Sequence, residues 1–381
     1  MIKTKLLYHN IIMKKNNIHH LILIIPLLII NIISLFNMFN AKLISTTYQN
    51  VFYKQLIWFI IGYLLIIIIK KMDLNKVFKY IPYIYIFNVI LLILVLIFGK
   101  VINGAKCWLS IGPLSFQPSE LMKITLTFYL VKIYQLKNLK TLKNQIIYLL
   151  KIILLTLIPS ILVFLEPDTG SIINYLIILL VVFIFSKLNI WFYLLFFILG
   201  ISSILVFLYC YFYNTDFLIN IIGTSFFYRM DRLINFTNGT SYQLENALIN
   251  IGAASLFKFN TNKILLYIPE APTDFMFAFN IGNYGLLSCI LVILCYLIIE
   301  LYIISKNKKI KSRKYKLLVS TFNFILLFQI IYNIFMNIGL LPIMGIPLPF
   351  LSYGGTSTII NFIIIGVILN CLNKYTNKVY S

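Results

Sequence analysis

Acidic residues are nearly absent from this chain: ten Asp and Glu among 381 residues, against 32 Lys and Arg, for a formal net charge of +22. Charged residues of every kind make up only 11%. A soluble globular domain carries roughly a quarter charged residues, so that class is excluded. Arginine is rarer still, limited to Arg229, Arg232 and Arg313. The five cysteines, Cys107, Cys210, Cys289, Cys295 and Cys371, show no metal-ligand spacing and read as ordinary membrane residues. No internal repeat is visible.

What the chain does have is apolar length. It is 61% hydrophobic, with a mean hydropathy of +0.95. A helix needs about 20 apolar residues to cross the hydrocarbon core of a bilayer. Runs at 21–39, 52–69, 80–98, 119–136, 145–165, 171–186, 190–213, 273–304, 317–338 and 356–372 predict about ten such helices. The runs are continuous rather than alternating, which selects helices over a barrel. The fold class is therefore all-α, a polytopic integral membrane protein forming a single membrane domain over 1–381. The run at 273–304 is long enough to be tilted or broken. The first run follows Lys14 and Lys15 in the manner of a signal peptide, but no small-residue cleavage site follows, so it is expected to remain as the first membrane helix.

The positions of the basic residues explain the net charge. Most lie in alternate connections, which predicts that both termini are cytoplasmic and that a large loop, 214–272, is extracytoplasmic between helices 7 and 8. The charge thus belongs to membrane topology and anionic lipid rather than to a nucleic-acid partner. The Gly, Pro and acidic residues gather at the outer side, in 99–120, 166–171, 214–274 and 337–355.

Five stretches stand out there. In "SFQPSELMKI", Pro118 opens a helix with Glu120 in its first turn and Lys123 three residues on, which reads as a capped helix with one ion pair or as a polar pair facing a cavity. In "EPDTGS", Asp168 either caps the sixth helix or braces a basic side chain or a metal. In "YRMDRLINF", Arg229 and Arg232 are spaced to share a helix face, which suits phosphate or an amphipathic surface segment. In "IPEAPTDFMF", Pro269 and Pro272 delay the helix, so that Thr273 is expected to cap it with Asp274 in its first turn. An acid there is explained by the helix dipole, or by a cavity in which it accepts a proton from a substrate hydroxyl. In "GIPLPFLSYGG", Pro347 and Pro349 break the helix, and Gly354 and Gly355 permit close backbone approach.

In this order these stretches resemble the SEDS family (shape, elongation, division and sporulation; RodA, FtsW and SpoVE) over nearly the whole chain. "GAKCWLSIGPLSFQPSELMKI", "EPDTGS", "IPEAPTDFMFA" and "GLLPIMGIPLPFLSYGGTS" each look like a family motif, the last being the most specific. The resemblance implies a peptidoglycan glycosyltransferase that polymerises lipid II at the outer face of the bacterial cytoplasmic membrane. Its implied partners are a class B penicillin-binding protein (the crosslinking transpeptidase) and other elongation or division complex proteins. It implies Asp274 as the general base. Glu120, Lys123, Asp168, Arg232 and Lys106 become residues of the substrate cavity, and Pro118, Pro269, Glu270, Pro347, Pro349, Ser352, Gly354 and Gly355 become structural motif positions. A divalent cation, Mg or Mn, is expected to neutralise the departing diphosphate, with ligands not identified. The chain departs from the family at Cys107, at Glu166 in place of Gln, in the glycine-poor stretch 249–260 and at Gly282–Asn283. These departures leave open a weakly active scaffold with the SEDS fold. A lipid-linked precursor flippase is a further alternative.

Overall fold

The structure is a computed structural model, and it describes residues 2–102, 105–112, 114–222, 242–257 and 268–376. Arg229 and Arg232 lie outside the described residues, as does most of the expected loop between helices 7 and 8. The helices are α1 (Ile2–Ile44), α2 (Val51–Lys71), α3 (Leu74–Phe98), α4 (Pro118–Leu136), α5 (Leu142–Leu165), α6 (Thr169–Phe185), α7 (Ile190–Tyr213), α8 (Thr215–Ile222), α9 (Tyr242–Gly252), α10 (Met276–Tyr284), α11 (Leu286–Asn307), α12 (Arg313–Asn337) and α13 (Gly355–Thr376). Eight of them are long and apolar enough to cross a membrane. The helices at two further expected spans fall outside that group. α4 carries Glu120 and Lys123 inside its apolar face, and α6 is only 17 residues, about 25 Å of helix.

The chain is a multi-pass membrane protein. Of these eight, α12 and α13 are the most deeply enclosed, and α2 packs along α13, α3 along α4 and α1 along α11. The inner face of α12 carries Asn323, Gln329, Asn333 and Asn337, all buried. On the outer helices large apolar side chains remain exposed, among them Ile57, Ile68, Phe87, Ile97 and Leu154. Such faces are stable against lipid.

One sequence expectation changes and another is resolved. First, the outer segment near 99–120 is not simple loop: β1 (Lys100–Ile102), β2 (Ala105–Ile111) and β3 (Leu114–Phe116) form a small antiparallel sheet in the order β1-β2-β3. Second, of the two alternatives for the run at 273–304, tilted or broken, the structure takes the broken one, with two helices. Gly285, at φ 78° and ψ −179°, ends α10 and starts α11. Past this break the amides of Leu286 and Leu287 donate to Ser255 O (3.1 Å) and Leu256 O (3.3 Å), which takes them out of a continuous helix. A Cβ at Gly285 would stand 2.6 Å from Leu256 O, so the close approach requires glycine.

Candidate active site

A cavity of about 520 Å³ opens among the ends of α2, α4, α6, α12 and α13 and the 339–354 loop. Its lining brings together Glu120, Asp168, Asp274, Pro347, Gly354 and Gly355 from four separate sequence stretches. Trp58 and Trp108 add aromatic surface, and Lys54, in the first turn of α2, is the one basic side chain lining the cavity among the described residues.

Asp274 does not sit in the first turn of a helix capped by Thr273. α10 begins at Met276 with Phe275 as its cap, because Glu270 O collects the amides of Thr273, Asp274 and Phe275 at 3.1–3.3 Å. Glu270 takes a positive φ of 56° to build this turn, and Thr273 Oγ1 donates to Glu270 Oε2 at 2.9 Å. Asn333 and Asn337 of α12 each donate to Asp274 O, at 2.9 and 3.0 Å. The backbone of Asp274 is thereby fixed while its carboxyl faces the cavity. Burial pushes that carboxyl up to about 7, and the nearby Glu270 carboxylate adds to the shift.

Asp168 caps α6. Its Oδ1 accepts from Ser171 N at 3.0 Å, and its Oδ2 accepts from Gln117 Nε2 (2.8 Å), Ser119 Oγ (2.9 Å) and Ser171 Oγ (2.6 Å). These bonds tie the start of α6 to the start of α4, and Tyr175 OH reinforces the junction by donating to Ser119 O at 2.7 Å. The bracing partners of Asp168 are therefore neutral donors rather than a basic side chain.

Glu120 and Lys123 form a buried ion pair at 2.7 Å, with Glu120 at the cavity wall and Lys123 behind it, 1% exposed. Lys106 stands apart from the cavity. Its Nζ donates to Leu96 O (2.7 Å) and Ile97 O (3.1 Å), closing the end of α3. Pro118 is the first residue of α4, where its missing N–H costs nothing. Pro269 lies in the Glu270 turn. Pro349 O accepts from Tyr296 OH at 2.5 Å, and Ser352 Oγ accepts from Leu348 N at 3.0 Å. Tyr353 N donates to Pro272 O at 2.7 Å, which joins this loop to the Asp274 turn. A Cβ at Gly355 would come within 2.9 Å of the Trp58 ring, so glycine lets α13 meet the cavity wall.

Several neighbours were not singled out from sequence: Lys54, Gln117, Ser119, Ser171 and the α12 pair Asn333 and Asn337. Polar residues on the inner face of an apolar helix were the one available signal for the asparagines.

Residues 15–377 match the FtsW, RodA and SpoVE family, described as cell cycle protein. The chain belongs to this family. A probable peptidoglycan glycosyltransferase FtsW of Wigglesworthia glossinidia brevipalpis is 32% identical over 334 residues, covering 84% of this chain and 85% of the relative. The corresponding FtsW of Coxiella burnetii is 30% identical over 337 residues, covering 86% and 87%. Among solved structures, a chain of a peptidoglycan synthase complex, studied for its coordination of polymerization and crosslinking, has a TM-score of 0.74 at 23% identity, covering 92% of this chain and 96% of that one. The rod shape determining protein RodA of Thermus thermophilus, in an aspartate-to-alanine mutant, has a TM-score of 0.66 at 23% identity, covering 93% and 97%. These two share the fold.

Glu166 is one of the departures from the SEDS pattern. It is fully buried beside Asp168, and neither carboxyl oxygen has a hydrogen-bond partner. Burial pushes it up to about 8, and the Asp168 carboxylate adds to the shift. A group at that value is mostly neutral at pH 7, which spares the fold a buried charge. A divalent cation finds a poor cage here. Among the described residues no group of three or more His, Cys, Asp or Glu could hold a metal. Asp168 is saturated with donors, and Glu120 is paired with Lys123.

Proposed function

We propose that this SEDS protein is a peptidoglycan glycosyltransferase that polymerises lipid II into glycan strands at the outer face of the bacterial cytoplasmic membrane. The observation that carries the reading is the single cavity in which Asp274, fixed by its backbone and raised towards neutrality, shares walls with Glu120, Asp168 and Lys54. Asp274 takes the proton of the acceptor sugar hydroxyl, and the oxygen so freed bonds to the anomeric carbon of the donor. The bond from that carbon to the diphosphate oxygen breaks, and the polyprenyl diphosphate leaves with the electron pair. A base works best with a pKa near the operating pH. Lys54 supplies positive charge at the cavity, and Arg232 is assigned to the same diphosphate on the strength of the family motif. A magnesium or manganese ion would travel with the substrate diphosphate rather than reside in a protein cage.

The names of the FtsW relatives support the activity, and the likeness to a chain of a synthase complex supports a class B penicillin-binding protein as partner. The basic connections support cytoplasmic termini. The test is incubation of labelled lipid II with the purified chain and its partner. Glycan strands are the expected product. Absence of strands would favour a scaffold, and movement of lipid II across vesicles without strands would favour a flippase.

A further inference from the structure

Three helices that reach the Asp274 cavity with one end, α4, α6 and α12, bring basic residues together at the other. Lys137 follows the last residue of α4, Lys187 lies two residues past the end of α6, and Arg313 opens α12. Lys137 Nζ stands 4.0 Å over the Tyr134 ring and donates to Ser186 O, the carbonyl next to Lys187. Tyr148 OH and Ser186 Oγ share a hydrogen bond at 2.6 Å, which fixes this junction to α5. Burial, then the charges of Arg313 and Lys187, push the Lys137 ammonium down to about 8. Among the described residues none of the three cations forms an ion pair. Asp73, an acid at the same end of the bundle, acts on Lys314 instead.

Three like charges gathered without an acid repel one another, so an anion completes the arrangement. The backbone supports the same sign. Lys187 has a left-handed φ of 52°, just past a helix end, where glycine is the usual residue. A lysine held there bears strain that glycine would relieve, and what it adds is charge. Ser312, before Arg313, makes no side-chain capping bond, so the first amides of α12 present a further positive end. Large exposed apolar side chains border the cations: Leu136 before Lys137, Ile184 before Lys187, and Ile190 and Trp191 after it. A soluble anion makes no use of that border. A lipid does, with its phosphate at the cations and its acyl chains along the helices.

We propose that Lys137, Lys187 and Arg313 form a site for the phosphate of an anionic membrane phospholipid, whose acyl chains lie against Leu136 and Ile184. The inference depends on the chain lying in a membrane and is independent of the polymerase reading.

Native mass spectrometry of the purified full chain in detergent tests it, with phosphatidylglycerol and phosphatidylcholine of identical acyl chains and, separately, inorganic phosphate. Phosphatidylglycerol should be retained about tenfold more strongly than phosphatidylcholine, and each cation removed should cut its retention about fivefold. Lys187→Gly is the sharpest variant. It relieves the left-handed strain, so the melting temperature should hold or rise while phosphatidylglycerol retention falls. Lys187→Gly with Arg313→Gln should lower retention further. Lys308→Gln with Lys309→Gln removes two exposed lysines at the same end but outside the cluster, and should leave retention nearly unchanged. An equal loss in that control pair, as for general surface charge, would overturn the proposal. So would equal retention of the two lipids, or retention unchanged in Lys187→Gly. Retention of inorganic phosphate without a preference for phosphatidylglycerol would assign the cations to a soluble anion and overturn the lipid.

Discussion

Asp274 combines a fixed backbone with a carboxyl pushed up to about 7, first by burial and then by the Glu270 carboxylate. In the proposed reaction the ionised form is the active one. Polymerisation should therefore rise with pH along an acidic limb centred near 7, with about a tenth of the base form left at pH 6. Glu270→Gln removes the like charge that raises Asp274, so the limb should move to lower pH. A limb that stays in place in this variant would contradict the assigned cause. The Glu120–Lys123 pair makes a different prediction. Lys123→Met leaves the Glu120 charge unpaired and should cost roughly 3–5 kcal/mol, with most of it recovered in the double variant with Glu120→Gln. Thermal unfolding in detergent checks both, and additive losses would remove the pair as a stabilising unit. Asp168, Glu120 and Asp274 were legible in the sequence because acids are so rare that each one beside a proline asks for a reason. Lys54 was not, since a lysine at the outer end of a membrane helix is ordinary until its neighbours are known. Glu166 read as a departure from the family, but its isolation emerges only from the packing.

Among the elements, the length of the run at 273–304 allowed a break, but its position at Gly285 came only from the structure. Hydropathy sees one apolar run over 273–304, because apolar residues continue on both sides of the glycine. The turn is decided by Ser255 and Leu256, distant in sequence, whose carbonyls take the amides that would extend the helix. Gly285→Ala would place a side chain in a backbone region open almost only to glycine, at a cost of roughly 1–3 kcal/mol before any clash. The clash with Leu256 O comes in addition. A lowered melting temperature in detergent is the expected result, and an unchanged one would mean that the break relaxes freely. The small sheet was missed for a related reason: "AKCWLSI" is too short and too irregular for a period-two pattern to stand out. The Asx and proline starts of α4 and α6, by contrast, follow local rules that the sequence carries in full.

At the scale of the whole molecule, the described residues hold eight long apolar helices, an enclosed α12–α13 centre and a large cavity at one end. The proposed orientation rests on the lysine-rich connections, and a reporter inserted after Asn260, which lies outside the described residues, should read as extracytoplasmic. A cytoplasmic signal there would reverse the assignment and put the cavity on the wrong side for lipid II. The central claim is that this cavity polymerises lipid II with Asp274 as the base. Asp274→Asn keeps the size and much of the polarity of the side chain but cannot accept the proton. The most direct measurement is glycan-strand synthesis from labelled lipid II by the purified chain with its transpeptidase partner, wild type against Asp274→Asn. The account predicts a fall of roughly 10²–10⁴-fold with melting temperature and partner binding retained; near-normal strand synthesis by the variant would contradict it.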